Sequence, residues 1–397
     1  MGVDVSTPAL VVSISRLGGI AHLSDAMIQA VSDRHCNTHF LLGKRKLYEA
    51  SVGLRDKSAI HFSHEDLREA IDRYMRPVMS ARSALGAVFV NVMEKLTMAD
   101  PKGTLKTRLI AALDAGIDGI TLSAGLHLGT LDLISDHPRY RDVKLGIIAS
   151  SARALKLFLQ RAARAGRMPD YIVVEGPLAG GHLGFPLNWQ DFDLKEIVRD
   201  VMQHLEENSL NIPVIPAGGI FTAADAVAFM EMGASAVQVA TRFAVTPESG
   251  LPHEVKQAFF AARSEDVVVN LLSPTGYPMR MLKQSPAIGS RMPPMCETYG
   301  YALDTSGGCS YLDWYYQQLT GEINGKPAEE RVCLCATMHG YKIWTCGQMV
   351  WRLKETSPRL ANGEYELPSA EHVFSEYLKD ADATASAPPL ETAEHAG

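Results

Sequence analysis

Glu175-Gly-Pro-Leu-Ala-Gly-Gly-His-Leu-Gly-Phe185 follows a short apolar run, Tyr171-Ile-Val-Val174, and places four glycines around one histidine, His182. The apolar run is typical of a buried parallel strand. Glycines at the end of such a strand let backbone amides approach a flat ligand that a Cβ atom would keep away. We therefore expect a ligand site after this strand, with His182 in it. The alternative interpretation is that His182 only closes a loop, since most histidines are structural.

Apolar runs of strand length recur along the chain. They alternate with segments of helical spacing, such as 152–165 and 222–232, and this alternation is typical of βα units in a parallel sheet. The predicted strands are 20–23, 87–92, 119–124, 145–150, 171–175, 212–217 and 236–241. A TIM (β/α)8 barrel has one strand more, and the helical pattern at 8–17 has no strand before it. We therefore expect an α/β fold of the TIM-barrel type that lacks its first strand.

The other segments are predicted additions to this barrel. The interval 24–86 is too long for a simple connection, and it contains an amphipathic helix with Ser63 as N-cap. The predicted barrel domain, 1–280, includes this helical insertion. A separate C-terminal region, 281–379, carries most of the cysteines. The segment 380–397 has no apolar periodicity and is a predicted disordered tail.

Composition and charge exclude several classes of protein. The 397 residues are 46% hydrophobic and 21% charged, which is typical of a soluble globular protein. No apolar run is long enough to span a bilayer, and the first residues lack the pattern of a secretory signal peptide. The net charge of −7 and the pI near 6.0 disfavour a nucleic-acid partner. We expect a cytoplasmic enzyme with neither a membrane nor a nucleic acid as partner.

A second glycine-rich turn predicts a phosphate site. Ile215-Pro-Ala-Gly-Gly-Ile220 precedes a helix start with Thr222 as N-cap and Asp225 at the third helical position. Gln238-Val-Ala-Thr241 then ends the last predicted strand. In TIM barrels these two loops commonly hold a phosphate, and the free amides of a helix N-terminus favour an anion. The alternative is a simple tight turn.

The C-terminal region is rich in cysteine. In a reducing compartment, such crowding favours a metal over disulfides. Four thiolates are what an iron–sulfur cubane or a structural zinc requires, and the spacing does not choose between these two. His339 is an additional possible zinc ligand, and buried free thiols are the alternative. The candidate metal ligands are Cys296, Cys309, Cys333, Cys335 and Cys346.

Four motifs together resemble the FMN-dependent nitronate monooxygenase (2-nitropropane dioxygenase) superfamily, which includes flavin-type enoyl-acyl-carrier-protein reductases. They are Gly176-Pro-Leu-Ala-Gly-Gly-His-Leu-Gly-Phe185, Ala217-Gly-Gly-Ile220, Gly233-Ala-Ser-Ala-Val-Gln-Val-Ala-Thr-Arg-Phe243 and Ser273-Pro-Thr-Gly-Tyr-Pro278. The resemblance implies a TIM barrel with FMN at the carboxyl ends of its strands and His182 as the catalytic residue. The flavin-lining positions that it implies are Asn91, Ser150, Ser151, Gly180, Gly181, Gly218, Gly219, Gln238, Ala240 and Thr241.

The sequence departs from this family pattern in two places. The family's first strand ends in Gln-Gly-Gly-Met-Gly, and Met1-Gly2-Val3 resembles the end of that motif. The resemblance therefore implies that strand one is missing from the chain. The cysteine-bearing region resembles the bacterial decanoyl-acyl-carrier-protein dehydrogenase/isomerase branch, whose barrel carries a four-iron, four-sulfur cluster. That likeness favours an iron–sulfur cluster over zinc.

The resemblance implies oxidation of a carbon acid, in which His182 removes the α-proton and FMN accepts the electrons. An imidazole pKa near neutrality suits this role without a large shift. The first expected substrate is an alkyl nitronate, with oxygen. The alternative is an acyl thioester, carried on acyl carrier protein. It would be dehydrogenated, isomerised or, as an enoyl thioester, reduced with FMN and an iron–sulfur cluster. A second alternative is a catalytically silent binding protein.

Overall fold

The structure is a computed structural model that describes residues 2–94, 100–300, 308–321 and 327–379. The predicted disordered tail, 380–397, lies outside the described residues. The strands are β1 (Ile20–Ser24), β2 (Ala87–Met93), β3 (Gly119–Ser123), β4 (Lys144–Ala149), β5 (Tyr171–Glu175), β6 (Gly181–His182), β7 (Val214–Ala217), β8 (Val267–Asn270) and β9 (Met279–Leu282).

The helices surround and extend these strands. The α-helices are α1 (Pro8–Arg16), α2 (Ile28–Cys36), α3 (Phe40–Leu47), α4 (His64–Ala81), α5 (Pro101–Asp114), α6 (Ala152–Arg164), α7 (Leu194–Glu207), α8 (Ala223–Glu231), α9 (Thr241–Ala244), α10 (His253–Ala261), α11 (Ser310–Thr320), α12 (Leu334–His339) and α13 (Ala370–Leu378). Within the described ranges, no helix combines the length and the apolar character that a membrane span needs.

Six strands form one parallel sheet in the order β1-β2-β3-β4-β5-β7. The strands are in parallel register, with Ser24 beside Asn91 at one edge and Glu175 beside Ala217 at the other. Strands that follow one another across a helix are neighbours in the sheet, as βα units require. The predicted α/β fold of the TIM-barrel type is confirmed, and six of the seven predicted strands are present.

The seventh predicted strand, 236–241, contributes only an isolated bridge. Gln238 pairs in parallel with Ala217, and its amide donates to the Pro216 carbonyl at 2.9 Å. The ladder stops there because Ala240 leaves the extended region, with φ −139° and ψ −44°, and Thr241 begins α9. Among the described residues the sheet is therefore a half-barrel.

Side chains inside the curl of the sheet contact one another across alternate strands. His22 Nε2 of β1 lies 2.7 Å from Thr121 Oγ1 of β3, which lies 2.5 Å from the Tyr171 hydroxyl of β5. The Phe89 ring of β2 packs between His22 and Tyr171, with centroid distances of 5.5 and 5.6 Å. A Cβ atom at Gly146 of β4 would overlap the Tyr171 ring. Contributions from alternate strands are typical of a barrel interior.

The helix starts follow the predicted capping signals. Ser63 accepts a hydrogen bond from the Asp66 amide at 3.1 Å at the start of α4. Thr222 and Asp225 form a full capping box at the start of α8. The interval between β1 and β2 is helical, as expected for an insertion, and α2 packs on α4 there. Local side-chain chemistry thus sets these boundaries.

The C-terminal region packs directly on the half-barrel. Strand β9 crosses the predicted boundary at residue 280 and joins β6 and β8 in a three-stranded antiparallel sheet. Helix α13 contacts the chain next to both edge strands of the parallel sheet, β1 and β7. The Phe374 ring fills the space beside Gly19, just before β1, and the Tyr377 hydroxyl donates to the Phe221 carbonyl, after β7, at 3.0 Å. The division into a barrel and a separate region at 281–379 stays a prediction.

A buried ion pair joins the first two strands. Asp25, directly after β1, contacts Arg108 of α5, and both side chains are 1% exposed. The Asp25 amide donates to the Asn91 carbonyl at 3.2 Å, and Arg108 Nη2 donates to the Met93 carbonyl at 3.0 Å. The pair therefore fixes the carboxyl ends of β1 and β2 relative to α5.

Replacing Arg108 by Met should destabilise the protein by about 3–5 kcal/mol, because the Asp25 carboxylate would stay buried without its partner. The double variant Asp25→Asn/Arg108→Met should lose less stability, since no charge is then left unpaired. Urea unfolding followed by circular dichroism measures both effects. Arg73→Met, at an exposed pair on α4, is the control and should change stability by well under about 1 kcal/mol. Equal losses in the single and double variants would contradict this account.

Candidate active site at the carboxyl edge of the sheet

The structure places the predicted flavin positions at one edge of the sheet. The carboxyl ends of parallel strands meet at the same edge, where ligands of α/β folds bind. Each of five strands or strand-like runs ends near a predicted position. These positions are Asn91 at the end of β2, Ser150 and Ser151 after β4, Gly180 and Gly181 after β5, Gly218 and Gly219 after β7, and Gln238, Ala240 and Thr241 at and beyond the isolated bridge.

His182 lies on a short strand and not in a free loop. In β6, Gly181 pairs with Arg280 and His182 pairs with Met279 of β9, in antiparallel register. The Leu183 amide extends this ladder by donating to the Pro278 carbonyl at 2.8 Å. Gly181 has φ +75°, a backbone conformation that favours glycine. The glycine-rich turn therefore serves to bring the histidine onto β9.

A buried serine holds the His182 ring. His182 Nε2 lies 2.6 Å from Ser273 Oγ, which lies 2.8 Å from Thr275 Oγ1. If Nε2–H donates to Ser273 and the serine hydroxyl donates to Thr275, the lone pair is on Nδ1. Sequence reasoning found the Ser273-Pro-Thr-Gly-Tyr-Pro278 motif but not this contact, which joins segments far apart in the chain.

Burial changes the protonation of the histidine. It lowers the pKa of His182 to about 4, because a low-dielectric environment disfavours the charged imidazolium. The near-neutral pKa expected from the sequence is therefore wrong. At neutral pH the imidazole is neutral and its lone pair is free to accept a proton.

Arg280 contacts the loop that leads into His182. Its side chain is fully buried, Nη1 donates to the Ala179 carbonyl, and the guanidinium lies 4.3 Å from the centroid of the Trp189 ring. Burial lowers the pKa of Arg280 to about 10 and raises the pKa of Glu175 to about 7, and each charge opposes the shift of the other. Sequence reasoning missed Arg280. The available signal was one cation inside the apolar run Met279-Arg-Met-Leu282.

Cys346 belongs to this edge of the sheet. A Cβ atom on Gly180 would lie 2.5 Å from the Cys346 carbonyl carbon, and one on Gly347 would lie 2.8 Å from Thr241 Oγ1. The Gln348 amide donates to the Leu178 carbonyl at 3.0 Å. The segment 346–348 thus lies between the loop after β5 and the start of α9. Of the five candidate metal ligands, Cys346 is the one that the structure separates from the others.

The glycines after β7 fit a flavin phosphate. Gly218 and Gly219 have φ +97° and +86°, and neither amide donates to a partner in the described part of the chain. The two amides just before α8, those of Phe221 and Thr222, are not available to a ligand, because each donates to Asp225 Oδ2, at 3.0 and 2.8 Å. The two glycine amides, with the Thr241 hydroxyl, are therefore the groups that would hold the FMN phosphate.

Asn91 gives a second indication of a ligand at this edge. Its side chain is buried, and Oδ1 has no hydrogen-bond partner among the described residues. Buried polar atoms usually have partners, so an unpaired acceptor at a ligand-binding edge favours a donor from outside the protein. The residues present fit FMN on these observations.

The other four C-terminal cysteines are neighbours. The thiol of Cys296 interacts electrostatically with Cys335, Cys309 and Cys333, and burial raises the pKa of Cys296 and raises that of Cys333 to about 12. None of the six cysteines forms a disulfide. In the described ranges, no three His, Cys, Asp or Glu side chains are arranged to coordinate a metal ion. The ring of His339 packs on Tyr299, at a centroid distance of 4.9 Å.

Comparison with known families shows which family the chain belongs to. The model of the family described as nitronate monooxygenase matches residues 92–293, just over half of the chain, and the match includes the His182 segment and both glycine-rich loops. The chain belongs to the nitronate monooxygenase family. It is therefore an oxidoreductase, and the alternative of a catalytically silent protein has no support.

Curated relatives extend the likeness over most of the chain. A probable nitronate monooxygenase of Staphylococcus saprophyticus is 25% identical over 278 residues, which are 69% of this chain and 72% of that protein. A nitronate monooxygenase of Pseudomonas aeruginosa is 26% identical over 316 residues, which are 76% of this chain and 81% of that protein.

Solved structures of two proteins show the same fold. A nitroalkane oxidase from Streptomyces ansochromogenes aligns with a TM-score of 0.57 and 17% identity, over 97% of this chain and 95% of that one. FabK from Thermotoga maritima aligns with a TM-score of 0.54 and 18% identity, over 96% and 90%. The fold of this family member is thus that of a TIM-barrel group.

Thr241→Val tests the phosphate site of this family member. The variant keeps the shape of the side chain and removes one hydroxyl, so FMN affinity should fall about tenfold, the effect of one hydrogen bond to a charged group. Thr241→Ser keeps the hydroxyl and should bind FMN like the parent protein. Titration of flavin-free protein with FMN, followed by flavin fluorescence, measures both dissociation constants. Equal affinity of Val and parent proteins would remove Thr241 from the site.

Proposed function

We propose that this protein is an FMN-dependent oxidoreductase of the nitronate monooxygenase type, in which His182 is the base. The observation that carries the proposal is the half-buried imidazole of His182. It is held through Nε2 by Ser273 and lies at the strand edge that fits FMN. A neutral base beside a redox cofactor suits a carbon acid whose proton and electrons leave together.

The protein's own groups would act on the proton. His182 Nδ1 accepts the α-proton of a nitroalkane, whose conjugate base is the nitronate. The anion then lies beside the new imidazolium, and its negative charge offsets the desolvation that otherwise disfavours the charged ring. Arg280 and the β6–β9 ladder hold the ring in place. FMN supplies the acceptor for the electrons when it is bound, and oxygen is the final oxidant.

His182→Ala should keep FMN and lose turnover. Removal of one general base typically lowers the rate by about two to four powers of ten. Oxygen consumption with a series of nitroalkanes, which carry the α-proton, measures turnover, and the absorbance ratio of flavin to protein measures FMN. His253→Ala, at an exposed histidine, is the matched control. Unchanged turnover in the His182 variant, with FMN retained, would exclude this residue as the base.

The pH dependence follows from the lowered pKa of His182. The imidazole accepts a proton only above its pKa, which burial holds at about 4. After correction for ionisation of the substrate, kcat/KM should stay flat from about pH 6 to pH 8 and fall as the pH drops through about 4. Steady-state rates with a nitroalkane across this range measure the profile. An inflection near pH 6.5 in the free enzyme would show that burial does not set this pKa.

A second candidate function is supported by the four neighbouring cysteines. Cys296, Cys309, Cys333 and Cys335 meet the ligand count of an iron–sulfur cubane, and cysteines without disulfides suit a reducing cytoplasm. In this alternative the flavin site dehydrogenates or isomerises an acyl thioester on acyl carrier protein. An anaerobic absorbance spectrum with iron, zinc and sulfide analysis separates the two. Flavin bands without metal support the monooxygenase, and a broad brown absorbance with iron supports the thioester enzyme.

A further inference from the structure

A fully buried arginine at the candidate site has two unused hydrogen-bond donors. The Arg280 side chain is 0% exposed, and its Nη1 donates to the Ala179 carbonyl. Its Nε and Nη2 have no hydrogen-bond partner among the described residues. Buried polar atoms usually have partners, and an unpaired donor on a charged group is especially unfavourable. The guanidinium therefore has donors available for a ligand from outside the protein.

The two unpaired nitrogens of Arg280 share one edge of the planar guanidinium. Nε and Nη2 each direct an N–H group outward along that edge, and two parallel donors of this kind match two oxygen atoms of one phosphate or carboxylate group. The neighbouring carboxyl is that of Glu175, which interacts with the charge of Arg280 without a hydrogen bond to it among the described residues. The free edge thus indicates an oxygen-bearing anion as the ligand.

The small antiparallel sheet places Arg280 and His182 on opposite faces. Gly181 pairs with Arg280, and His182 pairs with Met279. Paired residues of antiparallel strands lie on the same face, and successive residues of one strand alternate between the two faces. The group that reacts beside His182 is therefore not the group that the free edge of Arg280 would hold.

Arg280 is connected to the glycines after β7 through one residue. Ala179, whose carbonyl accepts the hydrogen bond from Arg280, packs directly on Gly218. A Cβ atom on Gly218 would lie 3.0 Å from the Ala179 nitrogen. The unpaired guanidinium donors and the unpaired amides of Gly218 and Gly219 therefore belong to one neighbourhood.

Arg280 is connected to Thr241 from its other side. The Cys346 amide donates to the Arg280 carbonyl at 3.4 Å. The next residue, Gly347, contacts the hydroxyl of Thr241, since a Cβ atom on Gly347 would lie 2.8 Å from Thr241 Oγ1. Arg280 thus lies between the two loops to which the phosphate site is assigned.

The other groups of the phosphate site are neutral donors, namely two backbone amides and one hydroxyl. A phosphate monoester such as that of FMN carries about 1.5 to 2 negative charges near pH 7. A low dielectric strengthens the attraction between such an anion and a buried cation. The guanidinium of Arg280 would supply the positive charge that these neutral donors do not.

We propose that Arg280 binds the phosphate group of FMN through Nε and Nη2, together with Gly218, Gly219 and Thr241. This inference rests on the proposed FMN dependence, and it adds the charged residue of the phosphate site. Arg280 is a binding residue in this account and takes no part in the proton transfer to His182.

The experiment compares FMN with riboflavin, which has the same ring system and no phosphate. Flavin-free parent protein, Arg280→Met and Arg280→Lys are titrated with each flavin, and flavin fluorescence gives the dissociation constants. Inorganic phosphate is the second probe, through its competition with FMN. Far-ultraviolet circular dichroism reports folding.

Two further variants are controls. Arg139→Met is the matched control, because Arg139 donates to the Leu113 and Ile117 carbonyls at 2.7 and 2.6 Å, before β3. Glu175→Gln removes the carboxylate that is the alternative partner of the Arg280 edge.

The parent should bind FMN far more tightly than riboflavin. Arg280→Met should lower FMN affinity about tenfold to a hundredfold, the effect of hydrogen bonds to a charged group, and should leave riboflavin affinity unchanged. Inorganic phosphate should compete less well in this variant. Arg280→Lys keeps the charge without the paired donors, so its FMN affinity should lie between those of the parent and the Met variant. Arg139→Met and Glu175→Gln should keep the parent's preference for FMN.

Several results would overturn the role of Arg280 alone. They are equal losses of FMN and riboflavin affinity in Arg280→Met, unchanged FMN affinity in both Arg280 variants, and a loss of FMN affinity in Glu175→Gln that equals the loss in Arg280→Met. A parent preference for FMN below about tenfold would overturn the contact whether or not the variants fold, because even one hydrogen bond to a charged group exceeds this effect. A parent that binds neither flavin would overturn the FMN dependence, and this inference with it.

Discussion

Antiparallel pairing of Gly181 and His182 with β9 is the constraint on which the candidate site depends. This short ladder places the histidine beside Ser273, and it places Arg280 behind the same turn. An isolated bridge between Met281 and Thr345 adds the segment that carries Cys346. Three parts of the chain that are far apart in sequence therefore meet on one small sheet, next to the larger parallel one.

The parallel sheet was predictable because its signals are local. Buried strands appear as continuous apolar runs, and the caps at Ser63 and Thr222 appear within four residues of sequence. The candidate site was predictable in part, through the glycines that the turns after β5 and β7 require. The β6–β9 ladder was not, because a two-residue strand has no periodicity of its own and its partner lies almost a hundred positions away.

Residue type alone also could not predict which buried charges and which thiols are neighbours in the fold. The sequence shows five crowded cysteines, but only the fold separates Cys346, which lies near Arg280, from Cys296 and its three cysteine neighbours. The same limit applies to the pKa of His182, which depends on burial and not on neighbours in sequence. In both places the environment is set by tertiary packing, where a low dielectric strengthens every charge interaction.

Helix α13 touches the chain next to both edge strands of the half-barrel, at Gly19 before β1 and at Phe221 after β7. Terminal helices are among the first elements to open in native-state fluctuations. When α13 detaches, the segment before β1 loses its contact with Phe374, and the segment after β7 loses its hydrogen bond to Tyr377. Opening of α13 should therefore loosen both β1, which leads into the helical insertion, and the loop after β7, which contains Gly218 and Gly219.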